Sequence, residues 1–126
     1  VIVICPPAAG AAVADWVDHV DATVLDVSAD SDDQWVAQVA LAQIPAGSTV
    51  VAYGEAVALI ERLAFANRAA RRPIGAYVFV DCDLPATAKG DWPDAPVTVV
   101  TTNVDVAAAA ELRGWVVVDD LARALA

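Results

Sequence analysis

Four carboxylates follow short apolar runs of the chain, where an α/β sheet would present them along one edge. Glu55 comes after "VVAYG", Asp81 and Asp83 flank Cys82 after "AYVFV", and Asp105 comes after "VTVVTTNV". Carboxylates gathered beside a bound molecule can move a proton to or from it. Each also has a purely local reading. Acidic residues favour helix starts, where they face the positive end of the macrodipole, and Asp favours turns. Glu55 therefore carries two readings, a general acid/base at the mouth of a crevice or a helix-start residue. Tyr53 carries two as well, a hydroxyl offered to a ligand or an aromatic closing the core.

Covalent catalysis has no complete set of groups. The lone His19 stands among Asp15, Asp18 and Asp21, a cluster that reads as a solvated helix face rather than a metal site, and no metal is assigned. Cys5 and Cys82 lack metal-type spacing. Cys5 precedes Pro6 and Pro7 at the end of an apolar run and reads as a core thiol. Cys82 lies between two carboxylates that would suppress its thiolate. Ser28, Ser31 and Ser48 have no base beside them in the sequence.

The composition narrows the partners. Of 126 residues 59% are hydrophobic, enough for one domain spanning residues 1–126 with a real core. Seventeen acidic against 7 basic residues give a formal charge of −10, which repels a phosphate backbone, so nucleic acid is not expected. No apolar run reaches the roughly 18 residues that span a bilayer, and the opening "VIVIC" lacks a basic leader, so no membrane partner and a cytoplasmic location are expected. No cofactor is called for. A mean hydropathy of +0.56 is high and favours a homodimer that covers apolar surface.

Short β-branched runs alternate with alanine-rich helical stretches, the pattern of an α/β fold with a parallel sheet buried on both faces. Strands are predicted at residues 1–5, 23–27, 49–53, 75–82, 97–102 and 115–118, and helices at 9–19, 32–43, 55–71, 104–112 and 121–125. Trp35, Val36, Val39 and Ala40 form one apolar helix face, and Ala56, Ile60, Leu63 and Ala64 another. The expectation is a single open, mostly parallel six-stranded sheet with helices on both faces and strand order about 2-1-3-4-5-6. Ligands in such sheets bind at carboxyl ends of strands, where the order reverses. That crevice would be lined by Pro6, Pro7 and Ala8 after the first strand and Tyr53, Gly54 and Glu55 after the third. Asp81 and Asp83 would adjoin from the fourth, and Thr102 and Asp105 from the fifth.

At these residues the chain resembles the α/β-hydrolases, in particular their thioesterase-like members. "CPPAAGAAVADW" resembles the turn of their oxyanion loop. "VVAYGEAVALIERLA" is similar to their strand, G-x-S-x-G elbow and helix, read here as Ala52-Tyr53-Gly54-Glu55-Ala56. "IGAYVFVDCDLP" and "PVTVVTTNVD" resemble the two strands that follow, the second ending in the loop of the triad acid. The resemblance implies a lid-less hydrolase core, oxyanion donors at the backbone N–H groups of Ala8 and Glu55, and Asp105 in the acid's place. The departures are as informative. Gly54 stands where the serine would be, and "GWVVVDDLARALA" has no histidine. With neither nucleophile nor base, a triad cannot work. His19 closes the first predicted helix, on the order of 15 Å along its axis from the crevice end.

Two function classes fit these residues. One is a repurposed enzyme that takes an apolar, carbonyl-bearing small molecule through a non-hydrolytic cyclisation, isomerisation or elimination, with Glu55, Tyr53 and Asp105 as the reacting polar groups. By analogy with hydrolase relatives, bacterial small-molecule biosynthesis is its setting. The other is a catalytically inactive pseudo-hydrolase that binds a ligand or a partner protein.

Overall fold

In the computed structural model, the described residues are 2–5, 22–24, 31–41, 43–80, 82, 95–119 and 121–124. Six strands pair, all in parallel: β1 (Ile2–Cys5), β2 (Ala22–Val24), β3 (Thr49–Tyr53), β4 (Ala76–Val80), β5 (Val97–Val100) and β6 (Val116–Val118), in the order β2-β1-β3-β4-β5-β6. The helices are α1 (Asp32–Leu41), α2 (Ile60–Ala69), α3 (Val104–Leu112) and the single turn α4 (Leu121–Ala124), with a 3-10 segment over Gly54–Leu59.

These dimensions correct the expected hydrolase core of six full strands. Four strands of four or five residues, β1, β3, β4 and β5, form the body of the sheet, and β2 and β6 add only three residues each at its edges. Three helices, α1, α2 and α3, reach nine or ten residues. All three supply one core cluster on one sheet face: Trp35 and Val39 from α1, Ile60, Leu63 and Ala64 from α2, and Ala110 from α3. Right-handed crossovers that all step in one direction, β2 to β3, β3 to β4 and β5 to β6, place their helices on the same side. The predicted helix at 9–19 lies outside the described residues.

Strand alternation sorts the sheet residues. Val50, Ala52, Tyr77, Phe79, Val97 and Val99 join the helix-covered cluster. Val51, Tyr53, Val78, Val80 and Val100, one residue out of phase, are buried as well, so β3, β4 and the end of β5 are covered on both faces. Phe79 is the aromatic centre, 6.0 Å from the Tyr77 ring centroid and edge-on to Trp115 at 6.1 Å. The amino edge is fastened by backbone bonds between two turns: Gly47 N–H donates to the Pro73 carbonyl at 2.9 Å and Gly75 N–H to the Ser48 carbonyl at 2.9 Å.

Candidate functional site

The reversal of strand order falls between β1 and β3, since β1 is followed in the chain by β2 on one side and flanked by β3 on the other. Register places Cys5 beside Ala52, and aligns Tyr53 with Val80, Val80 with Val100 and Val100 with Val118. The carboxyl edge is therefore level, and chain leaving β1, β3, β4 and β5 emerges along one line.

At β3 the chain turns directly into the 3-10 segment. This corrects the expectation of an α-helix starting at Glu55, which begins instead at Ile60 with Leu59 as its N-cap and no side-chain cap bond. Val57 in this segment and Ile60 at the start of α2, three residues apart and so on one side of the winding, are both buried. Gly54 occupies the same row one turn earlier, at the exit from the sheet. The six-residue segment offers a turn of backbone rather than the N-terminus of a long helix.

Tyr53 is 7% exposed on the sheet face opposite the α1–α3 cluster, which makes it part of the core wall beneath the edge. Glu55 lies in the 3-10 segment, immediately past the buried strand. Pro6, Pro7, Ala8, Asp81 and Asp83 lie outside the described residues, as does His19. Cys82 is a buried thiol in the core cluster.

The fifth strand's loop differs most from its expected role. Thr102 and Asp105 are exposed. Asn103, not singled out from the sequence, caps α3: its side-chain oxygen accepts from the Asp105 N–H at 2.9 Å and the Val106 N–H at 3.2 Å. The Asn103 N–H in turn donates to Thr101 Oγ1 at 3.0 Å, and the Thr101 N–H to the Val118 carbonyl at 3.0 Å. Asp105 is thus a first-turn acid on a capped helix. β5 also stands two strands from β3, about 10 Å at ordinary strand spacing, so the loop does not converge with Tyr53 at the reversal. The Asn immediately before an alanine-rich helix was the readable signal for the cap.

Among the described residues no group of His, Cys, Asp and Glu could hold a metal ion, and no helix is long and apolar enough to cross a membrane. At this edge β1 and β3 end level with each other, and Gly54 and Glu55 follow β3 in the 3-10 segment. Comparisons with protein-family models, with curated proteins and with solved structures each returned no match.

Proposed function

We propose that the chain binds an apolar, carbonyl-bearing small molecule at the carboxyl edge between β1 and β3 and promotes a non-hydrolytic step there, a cyclisation, isomerisation or elimination. Glu55 accepts the proton that leaves the substrate and returns it to the product or, in an elimination, to the departing group. The observation that carries this reading is the strand-order reversal at β1 and β3 with Gly54 and Glu55 directly beyond β3, the place where open α/β sheets take ligands. On this reading the stretch from Val50 to Ala64 is a hydrolase elbow that kept its turn and lost its nucleophile.

The same reading predicts an absence of acyl-enzyme chemistry. Activated esters and thioesters should turn over no faster than background, and fluorophosphonate probes should leave the intact mass unchanged. Gly54→Ser should remain inert in both assays, because an added hydroxyl still has no histidine to take its proton. Stoichiometric labelling of any serine in the natural chain would contradict the proposal.

A second reading, a binding module without turnover, draws on the outer edge of the sheet. Val104 and Leu112 on α3 are 79% and 89% exposed, and Val116 on edge strand β6, against which α3 packs, is exposed too. Apolar surface of this kind favours pairing of two copies. Sedimentation at micromolar concentration should then give a dimer that persists in high salt, since burial rather than charge drives it. Replacing Leu112 with Glu should yield monomer, and a monomer at all concentrations of the natural chain removes the dimer.

A further inference from the structure

β6 closes the strand order on one side, and α4 packs against β5 as well as β6, so it lies over the sheet rather than beyond its edge. The backbone on that outer edge has a definite pattern. The Val118 carbonyl accepts from the Thr101 N–H at 3.0 Å and so faces β5. A trans peptide group is planar with its C=O and N–H on opposite sides, so the Asp119 N–H points away from the sheet. Val116 is in phase with Val118 in the register with β5, and residues of one phase turn both backbone groups to the same neighbour. Val117, between them, therefore turns its N–H and its C=O outward. The Trp115 carbonyl points outward too, while the Trp115 N–H is taken by the Ala110 carbonyl at 3.1 Å. The edge thus offers an acceptor at Trp115, a donor and an acceptor at Val117, and a donor at Asp119, and among the described residues none of these is paired.

This series is its own complement when reversed. In a second copy turned about a two-fold axis at Val117, the edge would run antiparallel to the first. Val117 would face the copy's Val117 and exchange both bonds with it, and each Asp119 N–H would meet the other copy's Trp115 carbonyl. Every outward group is then satisfied. An axis at Val116 would set Val117 against Trp115, whose N–H is engaged, and would leave the Val117 carbonyl unmatched. The side chains agree with the Val117 register. Val116, 59% exposed, would lie opposite the copy's Val118, in a non-hydrogen-bonded pair where side chains stand closest. Trp115 would lie opposite the copy's Asp119, and the Arg113 guanidinium sits 5.0 Å over the Trp115 ring, so opposite charges meet. Edges are ordinarily kept apart by charged residues or proline. The run Trp115–Val118 has neither, whereas the strand at the other edge, Ala22–Val24, stands in the sequence between Asp21 and Asp26, carboxylates that repel a copy laid along it.

We infer that two copies of the chain join edge to edge, β6 antiparallel to β6 about an axis at Val117, into one continuous sheet. The inference deepens the pairing of copies proposed above and rests on it. A foreign strand could meet the backbone groups, but the reversed series and the Asp119 carboxylate opposite Arg113 are supplied by the chain itself.

Mixing Val116→Cys with Val118→Cys under mild oxidation tests the register on the full chain, with the natural chain giving the background from Cys5 and Cys82. The facing Cα atoms would stand about 4.5 Å apart, within disulfide reach, so the mixed disulfide should form at least about tenfold faster than a homodimer of either variant. In those homodimers the introduced thiols would lie on a diagonal of about 7–8 Å. Val117→Pro is the second arm: the N–H it removes faces outward, so the ladder to β5 stays intact. Sedimentation should show pairing weakened at least about tenfold while circular dichroism stays native. Equal crosslinking by the mixture and by either variant alone, or an undiminished dimer of folded Val117→Pro, would overturn the edge-to-edge inference and leave the dimer standing. A natural chain that is monomeric at all concentrations would remove both.

Discussion

Glu55→Gln is expected to lower the rate of the proposed reaction by about a hundredfold or more while leaving ligand affinity within a few fold. The substitution keeps the length of the side chain and its place in the 3-10 segment after β3. What it removes is the proton acceptor. A hundredfold loss corresponds to about 2.7 kcal/mol of transition-state stabilisation, within the range that one positioned acid/base supplies. The expected signature is a fall in kcat with KM nearly constant, because the proton moves in the transition state and not on binding. If kcat is unchanged, Glu55 is only a residue of the turn and the proton is handled elsewhere; if KM alone rises, Glu55 only holds the ligand.

The second large effect lies at the other edge of the sheet. Gly75→Ala should destabilise the fold by about 2–4 kcal/mol, combining overpacking of about 1–3 kcal/mol with one weakened hydrogen bond of about 1 kcal/mol. A Cβ at Gly75 would stand 2.7 Å from the Gly47 carbonyl carbon and closer still to its oxygen. Both atoms are backbone, so no side chain can swing aside, and separating the turns stretches the bonds from Gly47 to Pro73 and from Gly75 to Ser48. Gly47→Ala is the natural control. Its φ of 78° is unfavourable to alanine, yet nothing lies within 4 Å of the added Cβ, so its cost should be backbone strain alone, about 1–2 kcal/mol. Thermal unfolding of the two variants should therefore rank Gly75→Ala as the less stable, and the reverse order would refute the close approach of the two turns.

The parts of this architecture that the sequence discloses are those governed by periodicity. Trp35 and Val39 on one helix, and Ile60, Leu63 and Ala64 on another, are spaced for a single apolar face, and they are buried together. Where tertiary packing decides, sequence pattern is a poorer guide. Glu55 opens no α-helix: it lies in a 3-10 segment, and the α-helix begins five residues later at Ile60. Asp105 looks like an acid at a strand end, yet its loop is organised by Asn103 and Thr101, whose hydrogen bonds close on the backbone. The left-handed Gln43 and Arg71, each just past a helix where propensity rules favour glycine, are not legible in the sequence.

Native mass spectrometry of the chain purified without denaturation, alongside its Gly54→Val variant, tests the proposed site at the β1–β3 reversal most directly. The account predicts a small organic molecule bound to the natural chain, released intact on denaturation because no covalent bond holds it, and absent from Gly54→Val, whose added side chain fills the turn after β3 while circular dichroism stays native. A molecule that remains bound to folded Gly54→Val, or one that stays attached after denaturation as a covalent adduct, would contradict it.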